Sequence, residues 1–221
     1  MGGTGLAILR RNAPLRENGR IGDVPHLWNG TFEYLAANPD QAVIFNEAMA
    51  ENTRRVSQAL VSAYDFSRFR KIIDVGGGNG ALMTAIVATN PDIRGVVFDL
   101  PRGSAEASQK LADAGVAANC EVVAGDFFRS VPEGTDVYIL KFIIHDWDDE
   151  QSLAILKNCR KATHQVSKIL LIERVMPEKM EATPANQRMA MADMLAKAGL
   201  SIAQILAIPG LDISVIEAVR S

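Results

Sequence analysis

The sequence predicts an α/β fold with seven strands in a mostly parallel sheet, helices on both faces and an antiparallel hairpin at the C-terminus. Three observations carry that prediction. From Lys71 onward, short β-branched runs alternate with longer stretches of helical period, the pattern of crossover units that cover both faces of a parallel sheet. The first run leads into a glycine turn, Gly76-Gly77-Gly78-Asn79-Gly80, followed by a segment of helical composition. The last two runs are separated only by Pro209-Gly210-Leu211-Asp212, too short for a crossover, so they must pair antiparallel.

In chain order, residues 1–39 read as an N-terminal arm or remnant, rich in Gly, Arg, Asn and Pro as far as Gly30, and residues 40–221 as the folded domain. Asp40 to Ala63 reads as a long helix. Strands follow at Lys71 to Val75, Gly95 to Asp99, Glu121 to Ala124, Asp136 to Lys141 and Ile169 to Arg174, with helices between them. Ala81 to Ala88 has helical composition. Asp149 to Ala162 opens on an acidic cluster and carries Leu153, Leu156 and Cys159 on one face, which should pack on the sheet. Ile202 to Ile208 and Ile213 to Val219 form the closing hairpin. A nicotinamide-binding domain usually ends on a parallel strand, whereas Rossmann-like methyltransferases end on such a hairpin.

Composition narrows the function classes. With 221 residues, 48% of them hydrophobic, the chain can bury a sizeable core. A net charge of −3 without a long basic run gives no footprint for a polyanion, so no nucleic-acid partner is expected. Apolar runs are strand-sized and no hydrophobic signal core lies between Arg10 and Trp28, so no membrane association is expected and the location expected is cytoplasmic. Cys120 and Cys159 form no Cys-x-x-Cys pair and read as buried thiols.

Open α/β sheets bind ligands outside the carboxyl ends of their strands, and three successive ends carry suitable residues here. After the first strand, Asp74-Val75-Gly76-Gly77-Gly78-Asn79-Gly80 lets a ligand approach the backbone, and the following helix N-terminus favours an anionic group. Alone the loop is ambiguous, because Gly76, Gly78 and Ala81 also satisfy a dinucleotide fingerprint. Asp99, ending the second strand, can accept both ribose hydroxyl protons, which fits a nucleoside of either kind. Asp126, in Gly125-Asp126-Phe127-Phe128 after the third strand, can accept adenine amino hydrogens while an aromatic covers the ring. An oxidoreductase reading lacks a Tyr-x-x-x-Lys pair, since Tyr138 and Lys141 are spaced wrongly.

The motifs in sequence are Phe45-Asn46-Glu47-Ala48-Met49, Asp74 to Gly80, Phe98-Asp99-Leu100-Pro101, Gly125 to Phe128, Lys141-Phe142-Ile143-Ile144-His145-Asp146-Trp147-Asp148-Asp149-Glu150, Glu173-Arg174-Val175-Met176-Pro177 and Ser214-Val215-Ile216-Glu217-Ala218. In that order, from about Phe32 to Val219, the chain resembles the plant caffeic-acid-type and bacterial polyketide-type O-methyltransferases of secondary metabolism. The resemblance implies a class I methyltransferase domain over residues 40–221 that uses S-adenosylmethionine and releases S-adenosylhomocysteine. It implies that Asp74, Gly76 and Gly78 lie at the cofactor, Gly76 against its methionine part. Asp99 and Leu100 would bind the ribose and Asp126 and Phe127 the adenine, with Trp147 near that ring and Lys141 bordering the cofactor. Phe45 and Met49 would line the pocket of an aromatic acceptor, with Asp146 facing substrate or solvent; Met189, Met191 and Met194 crowd a later helical stretch.

Methyl transfer from a sulfonium requires alignment and removal of the acceptor's proton. A phenol titrates near pH 10, so at neutral pH a positioned base is needed, and histidine suits that work. His145 lies just past the fourth strand, whereas His26 falls in the arm and His164 near a helix end. Glu173, near the end of the fifth strand, can orient the imidazole, as the family likeness favours, or form a rim ion pair. Asp148, Asp149 and Glu150 read as charging a helix start, and with no convincing ligand spacing no metal is expected. Two family features are missing from the pattern. The stretch ahead of Phe32 does not read as the winged-helix-like domain through which full-length members form an intertwined homodimer. Between Asn186 and Leu195 the chain also skips a loop that normally carries another acid beside the histidine. The alternative reading is therefore a catalytically impaired S-adenosylmethionine-binding module of the same fold.

Overall fold

The computed structural model describes Ala7–Ile8, residues 39–176 and residues 190–221, with side chains over residues 51–174 and 190–221. Seven strands make one sheet: β1 (Lys71–Val75), β2 (Arg94–Asp99), β3 (Cys120–Ala124), β4 (Val137–Lys141), β5 (Lys168–Glu173), β6 (Leu200–Ala207) and β7 (Ser214–Arg220). Their order is β3-β2-β1-β4-β5-β7-β6, with β3 through β5 parallel and β7 antiparallel to both β5 and β6. The chain winds outward from β1 to β3 and then returns to the other side of β1 as β4. That reversal opens a crevice at the carboxyl ends of β1 and β4, where an open α/β sheet binds its ligand.

The helices are α1 (Pro39–Ala63), α2 (Ala81–Thr89), α3 (Ala107–Asp113), α4 (Asp149–Ala162) and α5 (Met191–Lys197). Alternate residues of the central strands feed two cores, which is why these strands read as unbroken apolar runs. Ile72, Ile139 and Leu170 meet Leu60 of α1 and Ile86 of α2 on one face. Ile73, Tyr138 and Leu171 meet Ile155 and Leu156 of α4 and Leu195 of α5 on the other.

Helix α4 begins where its acids predict. The Asp148 carboxylate accepts the Gln151 N–H at 2.8 Å and the Gln151 side chain accepts the Asp148 N–H at 3.3 Å, a reciprocal cap. Its buried stripe is Ser152, Ile155, Leu156 and Cys159, with Leu153 only partly buried. Ser152 is tolerated inside because its hydroxyl reaches the Ile144 and Trp147 carbonyls. Cys159 is buried as expected, but Cys120, at the start of edge strand β3, is partly exposed. The closing hairpin begins two residues earlier than its apolar run, at Leu200, and its turn is closed by the Ile208 N–H on the Ile213 carbonyl at 3.0 Å.

Two further features lie at the periphery of the sheet. Ala7–Ile8, within the predicted arm, pairs antiparallel with Val175–Met176. Just beyond α1, Tyr64 and Arg68 meet the buried Glu217 of β7, each at 2.6 Å from Oε2, while the Lys168 ammonium of β5 lies 2.5 Å from Oε1. The Arg68 guanidinium also donates to the Tyr64 hydroxyl.

Candidate active site

The glycine turn owes its shape to three left-handed residues, Gly76, Gly78 and Gly80. At Gly76 a side chain would meet the strained left-handed backbone and would also push aside the end of the Ile143 side chain. The loop amides are held by β2: the Gly76 and Gly77 N–H groups donate to the Phe98 carbonyl, and the Gly78 N–H donates to the Asp99 carboxylate at 2.8 Å. Asp99 thus receives a backbone amide of the glycine turn itself. Its other oxygen accepts the Leu100 N–H at 2.7 Å, and the Leu100 side chain is half exposed beside it.

Asp74, one residue before the end of β1, is 1% exposed, and neither carboxylate oxygen has a hydrogen-bond partner. Gly77 closes over it, with an ideal Cβ only 2.9 Å from Oδ2. Burial pushes the Asp74 carboxyl up to about 7, with the Lys141 ammonium opposing and the Asp99 carboxylate adding to the rise. Lys141 ends the neighbouring strand β4; burial holds its amine below the usual lysine value against the pull of Asp74 and Glu173. The ammonium sits 5.0 Å from the centre of the Phe142 ring.

On the β3 side, the Asp126 carboxylate accepts the Phe128 N–H at 2.8 Å, an Asx turn that fixes the loop. Phe127, Phe128 and Trp147 form one aromatic cluster, with ring centres 4.9 Å apart for the two phenylalanines and 4.7 Å for Phe128 and Trp147. Phe127 reaches the glycine turn, its ring 3.7 Å from the position a Cβ on Gly76 would take. The three strand ends therefore converge on one crevice.

His145 stands in the short 3-10 turn Ile144–Asp146 that follows β4, its side chain 10% exposed. Its Nδ1 lies 2.8 Å from the Glu173 carboxylate at the end of β5. Glu173 is fully buried, and its second oxygen accepts the Ile144 N–H at 3.0 Å, which locks the carboxylate and the turn together. Burial raises the Glu173 carboxyl, against the hydrogen bonds from His145 and the backbone. On the far side, His145 Nε2 lies 3.2 Å from the exposed Asp146 carboxylate. Burial works to lower the imidazole pKa, but Asp146 and Glu173 together hold it up at about 9. Among the described residues Glu173 meets His145 and the Ile144 N–H, while Arg174, its rim candidate, lies 3.3 Å from Asp212 instead.

The site brings together Asp74, Gly76, Gly78, Asp99, Leu100, Asp126, Phe127, Lys141, His145, Asp146, Trp147 and Glu173. Phe45 and Met49 fall on α1 ahead of the residues with described side chains, and Met189 lies outside the described residues, as does the stretch after Asn186 as far as Met189. Met191 and Met194 lie on α5 and are buried in the core. Sequence reasoning missed Phe128, which completes the aromatic cluster, and the left-handed backbone of Phe142, which no residue type announces. No group of three His, Cys, Asp or Glu among the described residues could hold a metal ion, and no helix among them is long and apolar enough to cross a membrane.

A model of the O-methyltransferase domain matches residues 23–203. Phenazine O-methyltransferase PhzM of Lysobacter antibioticus is 48% identical over 150 residues, which are 68% of this chain and 44% of that protein. Caffeic acid 3-O-methyltransferase of Zinnia elegans is 34% identical over 165 residues, 74% of this chain and 44% of that protein. An O-methyltransferase from neocarzinostatin biosynthesis, solved with S-adenosylmethionine and 2-hydroxy-5-methyl naphthoic acid, is similar with a TM-score of 0.66 at 27% identity, over 86% of this chain and 61% of that one. The chain spans less than half the length of either sequence relative.

Proposed function

The chain belongs to the O-methyltransferase domain family, and on that premise we propose that it binds S-adenosylmethionine over the carboxyl ends of β1 to β4 and methylates a hydroxyl of an aromatic small molecule, with His145 as general base. The observation that carries this reading is the buried Glu173 carboxylate 2.8 Å from His145 Nδ1, beside the glycine turn. A partner on Nδ1 leaves Nε2 as the nitrogen that takes a proton, the arrangement a base requires.

The residues fit the cofactor. Asp74 is a buried carboxylate without a partner, and Lys141 a half-buried amine beside it; together they complement the ammonium and carboxylate of a methionine zwitterion. Gly76 and Gly78 would admit that end of the molecule. Asp99 and Leu100 would take the ribose, and Asp126, Phe127 and Trp147 the adenine. When bound, S-adenosylmethionine supplies a methyl group on a sulfonium that departs as S-adenosylhomocysteine, so activation is not required of the protein. Its own residues align the acceptor and remove the hydroxyl proton. Phe45 and Met49 on α1 and Asp146 beside His145 are the residues proposed to meet the acceptor. The neocarzinostatin relative, solved with a naphthoic acid, supports an aromatic one.

The test is His145→Ala, with the cofactor affinity read by calorimetry and methyl transfer read on an ordinary phenol. The affinity should stay nearly unchanged while the rate falls about 10²–10⁴-fold, the usual contribution of a positioned base. Parental turnover in the mutant would reassign His145 to packing. Tight cofactor binding by the parent with no product from any phenol would favour the impaired binding module.

A further inference from the structure

Among the described residues, Phe142 is the one non-glycine position with a left-handed backbone, φ 59°. Bulky side chains rarely adopt that conformation, and where it persists the surroundings hold it in place. The register explains why the chain turns there. Lys141 of β4 pairs with Ile172 of β5, and the Phe142 N–H still donates to the Ile172 carbonyl at 3.0 Å. Had β4 continued extended, His145 would lie three places beyond Glu173, roughly 10 Å too far at about 3.3 Å per residue. The reversal at Phe142 starts the turn that brings His145 back onto Glu173.

Glycine would make that reversal without strain, so the ring needs its own explanation. It is shared by three groups. The Lys141 ammonium lies 5.0 Å and the Arg174 guanidinium carbon 6.0 Å from its centre, and the His145 ring meets it at 5.7 Å with an interplanar angle of 71°. Lys141 makes no ion pair with a described carboxylate, although it feels the field of both Asp74 and Glu173. Its partner is the face of the ring, which attracts a cation through its quadrupole.

We propose that Phe142 is the positioning residue of the His145–Glu173 pair: its left-handed backbone folds His145 back onto Glu173, and its ring retains the Lys141 ammonium so that Glu173 is left to the imidazole. The charged groups that act on the imidazole are Glu173 from β5 and Asp146 from its own turn; Lys141 of β4 acts on Glu173, and Arg174 lies 6.0 Å from the centre of the Phe142 ring. Without the ring, the lysine arm is free to follow the fields of Asp74 and Glu173, and a cation nearer Glu173 opposes protonation of His145.

The inference rests on the reading of His145 as the base, but its test needs neither cofactor nor acceptor. In the full 221-residue chain, the His145 ring is titrated by NMR, its signal assigned by its loss in His145→Ala. Phe142→Leu, which keeps bulk without a π face, should lower the His145 midpoint by about one pH unit. Phe142→Gly, which accepts the backbone without strain, should show the same fall should the leucine variant not fold. Phe142→Tyr should titrate as the parent does. Parental titration in both ringless variants, or an equal fall in the tyrosine variant, overturns the proposal. A parent that titrates as described yet methylates nothing would count against the proposed function and leave the role of Phe142 standing.

Discussion

Glu173→Gln removes one charge and exchanges one oxygen for an amide nitrogen without changing the side chain's size. In the parent the two oxygens serve two donors, Ile144 N–H at 3.0 Å and His145 Nδ1 at 2.8 Å, and the carboxylate has no access to water. Glutamine has one acceptor oxygen. If it serves Ile144, the amide nitrogen faces Nδ1 and selects the tautomer with its proton on Nε2, which cannot act as a base. If it serves Nδ1, the Ile144 N–H loses a buried partner, at about 1–3 kcal/mol. Either outcome blocks or loosens the base, so turnover should fall about 10²-fold or more, with cofactor affinity retained. The imidazole, held at about 9 by Asp146 and Glu173 acting against burial, should titrate lower by roughly one to two units, or about 1.4–2.8 kcal/mol of lost imidazolium stabilisation. Methyl transfer from radiolabelled cofactor gives the rate and NMR the midpoint. A glutamine variant with parental turnover and parental titration would refute the dyad.

Asp74→Asn should stabilise the ligand-free chain at pH 8 by about 1–3 kcal/mol more than at pH 5, measured by denaturant unfolding, and weaken S-adenosylmethionine binding. The sign follows from a carboxyl raised to about 7 by burial: stability present below its ordinary range is lost as pH rises through 7. Glu217→Ala should cost about 1–3 kcal/mol, because it takes the buried acceptor from Tyr64 and from the partly exposed Lys168 and Arg68. Burial raises the Glu217 carboxyl, but Lys168, Tyr64 and Arg68 together hold it below its usual value, so its contribution stands above the ordinary carboxylate range and is lost as pH falls through the folded value. Unfolding midpoints that move in parallel with pH in parent and variant would contradict this.

The strands were legible because those at the centre of the sheet are buried on both faces, so burial writes itself as continuous apolar runs such as Ile169 to Ile172. Helix α4 was legible to the residue because its start is chemical: an aspartate cap followed by acids. The site residues were legible where each ends a strand, since the sheet alone decides where those ends meet. Other features depend on contacts between distant segments. Ser152 is buried because two carbonyls from the preceding turn happen to receive it, and no hydrophobic pattern encodes that. Asp146 is exposed, as a residue facing substrate or solvent should be, but its contact with His145 Nε2 is set by the 3-10 turn and not by the sequence pattern. The backbone of Phe142 is dictated by where Glu173 lies, 31 places along the chain by subtraction of their numbers.

On the proposed reading of His145 as the base, an imidazole held at about 9 bears on what the carboxylates would contribute to catalysis. At pH 7.5 only about one such imidazole in thirty is neutral, which costs about 2 kcal/mol against a base fully available. The same rise of about 2.5 units strengthens the base, and with roughly half of it felt at a midway proton transfer the gain is about 1.7 kcal/mol. The two effects nearly cancel, so added basicity is not what the pair contributes. Orientation is. Glu173, locked by the Ile144 N–H, fixes the tautomer and the ring plane, while the exposed Asp146 occupies Nε2 through a contact that solvent weakens. An acceptor hydroxyl that displaces Asp146 therefore loses little to competition, and by removing one of the two carboxylates it lowers the imidazole toward neutral pH as it arrives. The pH at which the acceptor-bound protein turns over should accordingly lie below the His145 midpoint of the free chain, and kcat and kcat/KM profiles on one phenol read that difference directly. Coincident profiles would mean that Asp146 stays on Nε2 throughout, and the base would then have to be sought on another side chain.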